Sequence, residues 1–174
     1  EVITKAILDA KEWQLAQVKP LQLAKISPPL FSERVHKRAS DSFTIQTDAA
    51  FKDHIAGLGW TVRSHASGSL SKYTASCKFV SSPLSAESLA VRSALSSVIA
   101  LGAQVVTLES DCQSLVKAIS SRSPIVEIHG ILSDIFCLIE YLFSFVCNFI
   151  PRSANCLADS LAKTALSLYP QNPV

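Results

Sequence analysis

The hydrophobic pattern changes its period near Pro83, and this change limits the folds that the chain can adopt. Before Pro83, three stretches at 43–48, 55–63 and 73–80 have strand character, the first of them by alternation of apolar and polar residues. The short links between them predict antiparallel hairpins. After Pro83, helical and strand patterns alternate, which is typical of strands joined by crossovers. The order β-β-β-α-β-α-α-β-α therefore predicts an α/β domain with a mixed sheet.

The later elements follow from periodicity and from turn residues. Ser85 is a plausible cap for the first helix, which we expect to stop at Gly102. The predicted elements are this helix to about residue 101, a buried strand at 104–109, helices at 111–121 and 125–142, a strand at 143–150, and a last helix after the turn at 151–155. The apolar stripe predicted for the last helix comprises Ala154, Leu157, Ala158, Leu161, Ala165 and Leu168.

Residues 1–40 differ in composition from the rest of the chain. An irregular apolar stripe predicts a connector helix at 2–19, and three prolines and a polar run predict a linker up to residue 40. We expect three regions: the helix and linker at 1–40, a folded domain at 41–170 and a tail at 171–174. Because the chain begins at Glu1 and lacks methionine, we expect a segment of a larger polypeptide. The sequence gives no signal for an oligomer, and we expect the domain to be monomeric.

Composition excludes several classes of protein. A length of 174 residues and 48% hydrophobic residues fit one globular domain, and no run of about 18 apolar residues predicts a membrane span. The five cysteines are widely spaced, so neither a disulfide scaffold nor a zinc site is expected. This usage of cysteine fits a reduced compartment, and we expect the nucleus or the cytoplasm. Residues 41–174 carry nine Lys/Arg and ten Asp/Glu, a balance of −1. Any contact with phosphates must therefore be local or bridged by a metal ion.

Four carboxylates come from four different elements. Asp48 lies near the end of the first strand, Asp111 at the junction of a buried strand with a helix, and Asp159 on the last helix. Glu87 falls on the apolar face of the first helix, where a carboxylate is costly unless it is paired or bound to a metal. Acids from separate elements can hold two Mg²⁺ ions that act on a phosphodiester, whereas the same cluster without metal would repel itself.

Three of these acids also have a purely structural interpretation. Asp48 fits a turn residue, Asp111 a helix cap, and Asp159 a solvated helix residue. Glu87 is the hardest to explain in this way. Taken singly, none of the four is specific for a metal site, and the hypothesis depends on their common pattern.

The acids lie within motifs that together resemble one known family. The motifs are TDAAF at 47–51, AGLGW at 56–60, SPLSAE at 82–87, LESD at 108–111 and IPRSANCLADSLAK at 150–163. In order and spacing they resemble the ribonuclease H type 1 family. In particular they are similar to the reverse-transcriptase-associated RNase H-like domain of plant non-LTR retroelements and their domesticated relatives. The resemblance extends over residues 43–168, nearly the whole predicted domain.

This resemblance implies a fold, a metal site and an activity. The fold is a five-stranded mixed sheet in the order 3-2-1-4-5, with strands 1 to 3 antiparallel and helices on both faces. Asp48, Glu87, Asp111 and Asp159 would bind two Mg²⁺ ions, or Mn²⁺ in their place, with Asp48 bridging the two. The implied activity is endonucleolytic hydrolysis of the RNA strand of RNA–DNA hybrids, which leaves a 3′-hydroxyl. The implied substrate-binding residues are Asn155, Ala49 and Ala50.

The chain departs from the family at three places. Phe149 occupies the position ten residues before the last acid, where many members have a loop histidine that assists proton transfer or product release. Asp-Ala-Ala at 48–50 replaces the common Asp-Gly-Ser, and no basic, Trp-rich insertion lies between residues 121 and 131. Candidates for phosphate contact outside the tetrad are Arg63, Lys72 and Lys117, but we expect each of them to be a solvated surface residue instead.

Two functional hypotheses follow. The complete tetrad favours an active Mg²⁺-dependent ribonuclease H. Phe149 and the low positive charge favour a catalytically weak or inactive, retroelement-derived module that binds nucleic acid or another protein. Related nucleases, such as a 3′–5′ exonuclease or an integrase-like enzyme, would need a different spacing of acids.

Overall fold

The computed structural model describes residues 42–168, so the helix and linker predicted for residues 1–40 and the tail lie outside the described residues. The strands are β1 (Ser42–Lys52), β2 (Ile55–Ser64), β3 (Leu70–Lys78), β4 (Val105–Ser110) and β5 (Ser144–Phe149). The helices are α1 (Pro83–Ala100), α2 (Gln113–Ser120), α3 (His129–Ile139) and α4 (Cys156–Leu168), and 3-10 turns lie at Val126–Ile128 and Arg152–Ala154. Between residues 42 and 168, no helix is long and apolar enough to cross a membrane.

The five strands form one mixed sheet in the order β3-β2-β1-β4-β5, as the resemblance implied. β2 pairs antiparallel with β1 and with β3, whereas β4 pairs parallel with β1 and with β5. Leu58 and Trp60 of β2 are buried in the core with the apolar face of α1, while Gly57 and Gly59 face α4. Because neighbouring residues of a strand point to opposite faces, α1 and α4 cover opposite faces of the sheet.

β1 is longer than its sequence pattern predicts. The alternation of apolar and polar residues stops at Asp48, but the strand continues to Lys52 and turns through Asp53 and His54. Both turn residues have positive φ, 50° and 59°, as a two-residue hairpin of type I′ requires. The predicted link at 49–54 was wrong, because a central strand covered on both faces loses the alternation that marks a half-buried one.

Two helix boundaries also differ from the predictions. The cap of α1 is Ser82 instead of Ser85: the Ser82 hydroxyl accepts from the Ser85 amide at 3.1 Å, and Pro83 opens the helix. The predicted helix at 125–142 is a 3-10 turn followed by the shorter α3. It ends early because the amides of Phe143 and Ser144 both donate to the carbonyl of Gln104, which starts the pairing of β5 with β4.

α4 lies unusually close to β2. A Cβ atom added at Gly57 or Gly59 would overlap the backbone of Ala162. The buried residues of α4 are accordingly Ala158, Ala162 and Ala165, because larger side chains would not fit there. The predicted stripe was therefore wrong in part: Leu157 and Leu161 are only partly buried, and Ala154 and Leu168 are exposed. The close approach matters for function, since α4 carries Asp159.

We predict that Gly59→Ala lowers the free energy of unfolding by about 3 kcal/mol, because the new methyl group forces α4 away from β2. Gly130→Ala is the matched control, since Gly130 lies in α3 and a Cβ there would meet no atom within 4 Å. It should raise stability by about 0.5–1 kcal/mol through its higher helix propensity. Urea unfolding of both variants measures the difference, and equal effects would contradict the close packing of α4.

Candidate active site

Asp48 occupies the centre of the site. It lies within β1, opposite Gly59 of β2, and is 4% exposed, so its interpretation as a turn residue is wrong. The pKa of this carboxyl is raised to about 7, mainly by burial and in smaller part by the negative charges of Asp111 and Asp159. The guanidinium of Arg152 and a hydrogen bond from the Ala49 amide act in the opposite direction. Asp48 is thus a carboxyl that ionises much less readily than a free aspartate, and a nearby cation would favour its charged form.

Glu87 reaches the same place from α1. Its Oε2 is buried and has no hydrogen-bond partner among residues 42–168. Burial raises the pKa of Glu87 to about 8, with further contributions from the negative charges of Asp48 and Asp111, while a hydrogen bond to the Ala49 backbone lowers it. Glu87 was unusual in the sequence because it is an acid on an apolar helix face, and the structure explains its position: the carboxyl is directed at Asp48.

Asp111 follows β4 directly and does not cap α2. The cap residue of α2 is Cys112, without a side-chain cap hydrogen bond, so the helix-cap interpretation of Asp111 is wrong. Its Oδ1 accepts a hydrogen bond of 2.8 Å from Asn155 Nδ2. The negative charge of Asp111 acts on both Asp48 and Glu87, which places it in the same cluster.

Asn155 connects three elements at this end of the sheet. Its Nδ2 donates to the Thr47 carbonyl of β1 at 2.9 Å as well as to Asp111, and its own carbonyl accepts from the Asp159 amide of α4. The side chain is 0% exposed. In this arrangement Asn155 orients Asp111 and is itself inaccessible to solvent. The other two predicted substrate-binding residues, Ala49 and Ala50, are half-buried and follow Asp48 in β1.

Asp159 is held by two cations. Its Oδ2 accepts from Lys163 Nζ at 2.6 Å, and its Oδ1 accepts from Arg152 Nη2 at 3.4 Å. The hydrogen bond from Lys163 is the main reason that the pKa of Asp159 is lowered, and Arg152 adds to it. Its side chain is 20% exposed, so it is not the freely solvated residue of the structural interpretation. Neither cation was predicted from the sequence. The spacing of four between Asp159 and Lys163 was a signal for one, but nothing local identified Arg152.

The four carboxylates fit hard divalent cations by their chemistry. Asp48 is electrostatically coupled to each of the other three, and all four offer oxygen ligands. Between residues 42 and 168, however, no three His, Cys, Asp or Glu side chains are already arranged to hold a metal ion. The hydrogen bonds of Asp111 and Asp159 give a physical reason, because each directs an oxygen to a protein donor. The unpartnered Oε2 of Glu87 is the clearest free ligand atom in the cluster.

The residues predicted to assist proton transfer or to contact phosphates take no part in the hydrogen bonds of the four carboxylates. Phe149 is the last residue of β5, pairs with Ser110 in register and is 50% exposed. Arg63 of β2, Lys72 of β3 and Lys117 of α2 are exposed on the surface. The structure brings none of these four into hydrogen-bonding contact with the carboxylates.

Comparison with known proteins agrees with this architecture. The profile of the family described as reverse transcriptase-like matches residues 46–165, more than half of the chain. The chain belongs to the reverse transcriptase-like family. A search of curated proteins found no significant match.

Three of the solved structures similar to this member of the reverse transcriptase-like family are RNase H proteins or domains. RNase H1 from Halobacterium salinarum is 21% identical, with a TM-score of 0.67 over 72% of this chain and 98% of the other. The N-terminal RNase H domain of Rv2228c from Mycobacterium tuberculosis is 20% identical, with a TM-score of 0.67 over 74% and 95%. LC11-RNase H1, solved with an RNA/DNA hybrid, is 19% identical, with a TM-score of 0.64 over 72% and 96%. The fold is that of ribonuclease H, and the resemblance to the type 1 family is confirmed.

The raised pKa values of Asp48 and Glu87 predict how stability depends on pH without metal. A carboxyl whose pKa is higher in the folded than in the unfolded chain favours folding while it is protonated, and that contribution is lost as pH rises through the folded value. In EDTA, we expect the free energy of unfolding to fall by roughly 2–4 kcal/mol between pH 5 and pH 9. Urea unfolding at several pH values measures this.

Glu87→Gln tests whether the pH dependence of stability comes from the buried carboxyls and not from the net charge of the protein. The neutral amide should flatten the pH dependence and raise stability at pH 8 in EDTA, because it removes a buried negative charge next to Asp48. Glu140→Gln is the control, since Glu140 is exposed and paired with Arg122 on the surface. Lower stability of Glu87→Gln at pH 8 would show that Glu87 makes a structural hydrogen bond instead.

We also predict that Asn155→Ala lowers the free energy of unfolding by about 1–3 kcal/mol, because it leaves the buried carbonyl of Thr47 without its donor. Asn148→Ala, at an exposed position of β5, should change stability by no more than about 0.5 kcal/mol. Chemical unfolding compares the two variants, and a neutral Asn155→Ala would argue against its role in joining β1 to α4.

Proposed function

We propose that the chain is a divalent-metal-dependent ribonuclease that hydrolyses the RNA strand of RNA–DNA hybrids. One observation carries the proposal: Asp48 is buried within the central strand, at a point where it interacts with Glu87, Asp111 and Asp159 from three other elements. Burying like charges together is unfavourable unless a cation neutralises them. The four acids therefore do little to stabilise the metal-free fold, which favours a role in binding a cation.

Asp48, Glu87, Asp111 and Asp159 would hold the metal, which we propose to be Mg²⁺. Two such ions activate a water molecule and stabilise the leaving oxygen of a phosphodiester. Within the chain, Asn155 fixes one oxygen of Asp111 through its amide, and the backbone of Ala49 orients Asp48 and Glu87. These residues hold the carboxylates in place, so that little rearrangement remains for the reaction itself.

Two kinds of observation bear on the substrate: the contents of similar solved structures and the net charge of the domain. The structure of LC11-RNase H1 contains an RNA/DNA hybrid, and that of the foamy viral protease-reverse transcriptase contains dsDNA. The balance of −1 over residues 41–174 means that attraction by overall charge contributes little to binding. We therefore expect weak binding of the isolated domain to a hybrid, with contacts concentrated at the carboxylates and their metal.

Phe149 affects proton transfer but not metal binding. A phenyl side chain neither donates nor accepts a proton, so water must carry any proton that a histidine at this position would carry. Phe149 makes none of the hydrogen bonds that orient Asp111 or Asp159. We expect Phe149 to reduce turnover while leaving the metal ligands as they are.

The test is cleavage of a labelled RNA–DNA hybrid in Mg²⁺ or Mn²⁺, with EDTA and Asp48→Asn as negative controls. Asp48→Asn should reduce the rate by roughly a thousandfold or more, since the several kcal/mol that a metal supplies correspond to about that factor. Asp134→Asn is the matched control, because Asp134 is an exposed acid paired with Arg92, and it should cleave at the wild-type rate.

Cutting of the RNA strand alone, lost in EDTA and in Asp48→Asn, would support the proposal. Undiminished cutting by Asp48→Asn would rule out the four-carboxylate assignment. No cutting by the folded wild-type protein would favour the alternative, a catalytically inactive module, and Phe149→His would then test whether the missing proton carrier is the cause.

A further inference from the structure

The fourth carboxylate is in a different state from the first two. Within the described part of the chain, Asp48 and Glu87 have no cationic side chain as a hydrogen-bond partner, whereas both oxygens of Asp159 are occupied, Oδ2 by Lys163 and Oδ1 by Arg152. The two cations come from different parts of the chain. Lys163 stands one turn along α4 from Asp159, and Arg152 lies in the 3-10 turn before the helix.

A metal ion and these cations would compete for the same atoms. A carboxylate oxygen that receives a short hydrogen bond from an ammonium group has to exchange that partner before it can coordinate a metal ion. The exchange is feasible because the side chains of Lys163 and Arg152 are 61% and 75% exposed, and exposed ion pairs are weak. The exchange would nevertheless reduce the affinity of Asp159 for a metal ion.

We propose that Lys163 and Arg152 act as positioning residues that occupy Asp159 in the metal-free protein and compete with the metal ion for it. The inference rests on the proposed metal site. Lys163 accounts for the larger part of this competition, because its hydrogen bond to Asp159 is short, at 2.6 Å. Arg152 contributes less at Asp159, because its contact is longer, at 3.4 Å.

The experiment measures Mn²⁺ binding without nucleic acid, from the EPR signal of the free ion during titration of the full chain. Lys163→Gln should tighten the binding of the ion that uses Asp159 by roughly fivefold, the magnitude expected for loss of an exposed ion pair. Lys163→Arg, which keeps the ion pair, should bind as the wild type does. Lys72→Gln removes an exposed lysine of β3 and controls for the change in net charge.

The same substitution in an Asp159→Asn background distinguishes competition from long-range repulsion. An amide at residue 159 carries no charge to neutralise, so Lys163→Gln should then leave Mn²⁺ binding unchanged. An equal gain in both backgrounds, or an equal gain for Lys72→Gln, would overturn the inference. Wild-type binding of Mn²⁺ without any effect of Lys163→Gln would overturn the inference alone, whereas no Mn²⁺ binding by any variant would overturn the proposed function as well.

Discussion

The burial of the carboxyls of Asp48 and Glu87 beside one another is the constraint on which the site depends. Each pKa is raised by burial first and by neighbouring negative charge second, to about 7 and about 8. Such a pair lowers the stability of the metal-free fold at neutral pH. The surrounding core must offset that cost, and the apolar contacts of α1 with the sheet are the main source of stabilisation close to Glu87.

The close packing of α4 on β2 has a direct consequence for the same cluster. Gly59 pairs with Asp48 across the strands, and a side chain at Gly59 would overlap α4 next to Ala158 and Ala162. The missing side chain therefore brings the helix that carries Asp159 close to the strand that carries Asp48. Asn155 secures the start of that helix to Thr47 and Asp111. Packing and hydrogen bonding thus place the fourth acid near the first.

The sequence predicted the larger features because they depend on local patterns and on motifs in a recognisable order. The strand order came from the resemblance to ribonuclease H, and Glu87 was identified because an acid on an apolar helix face is unusual. Three details were missed, two of them because they depend on tertiary contacts, whereas the cap of α1 depends on the local sequence Ser82-Pro83. β1 continues past Asp48 through half-buried residues, Ser82 caps α1, and alanine replaces leucine on the buried face of α4 where glycine lies opposite.

The ion pairs of Asp159 show why a list of acids is an incomplete description of such a site. A tetrad read from the sequence treats its four members as equivalent, but burial and partners separate them. Asp48 and Glu87 resist ionisation, whereas the pKa of Asp159 is lowered by Lys163 and Arg152. A cation that approaches the cluster therefore relieves repulsion at the first pair and displaces existing partners at the last acid. Because these two effects have opposite signs, the proposed affinity for metal would depend on Lys163 and Arg152 as well as on the four acids.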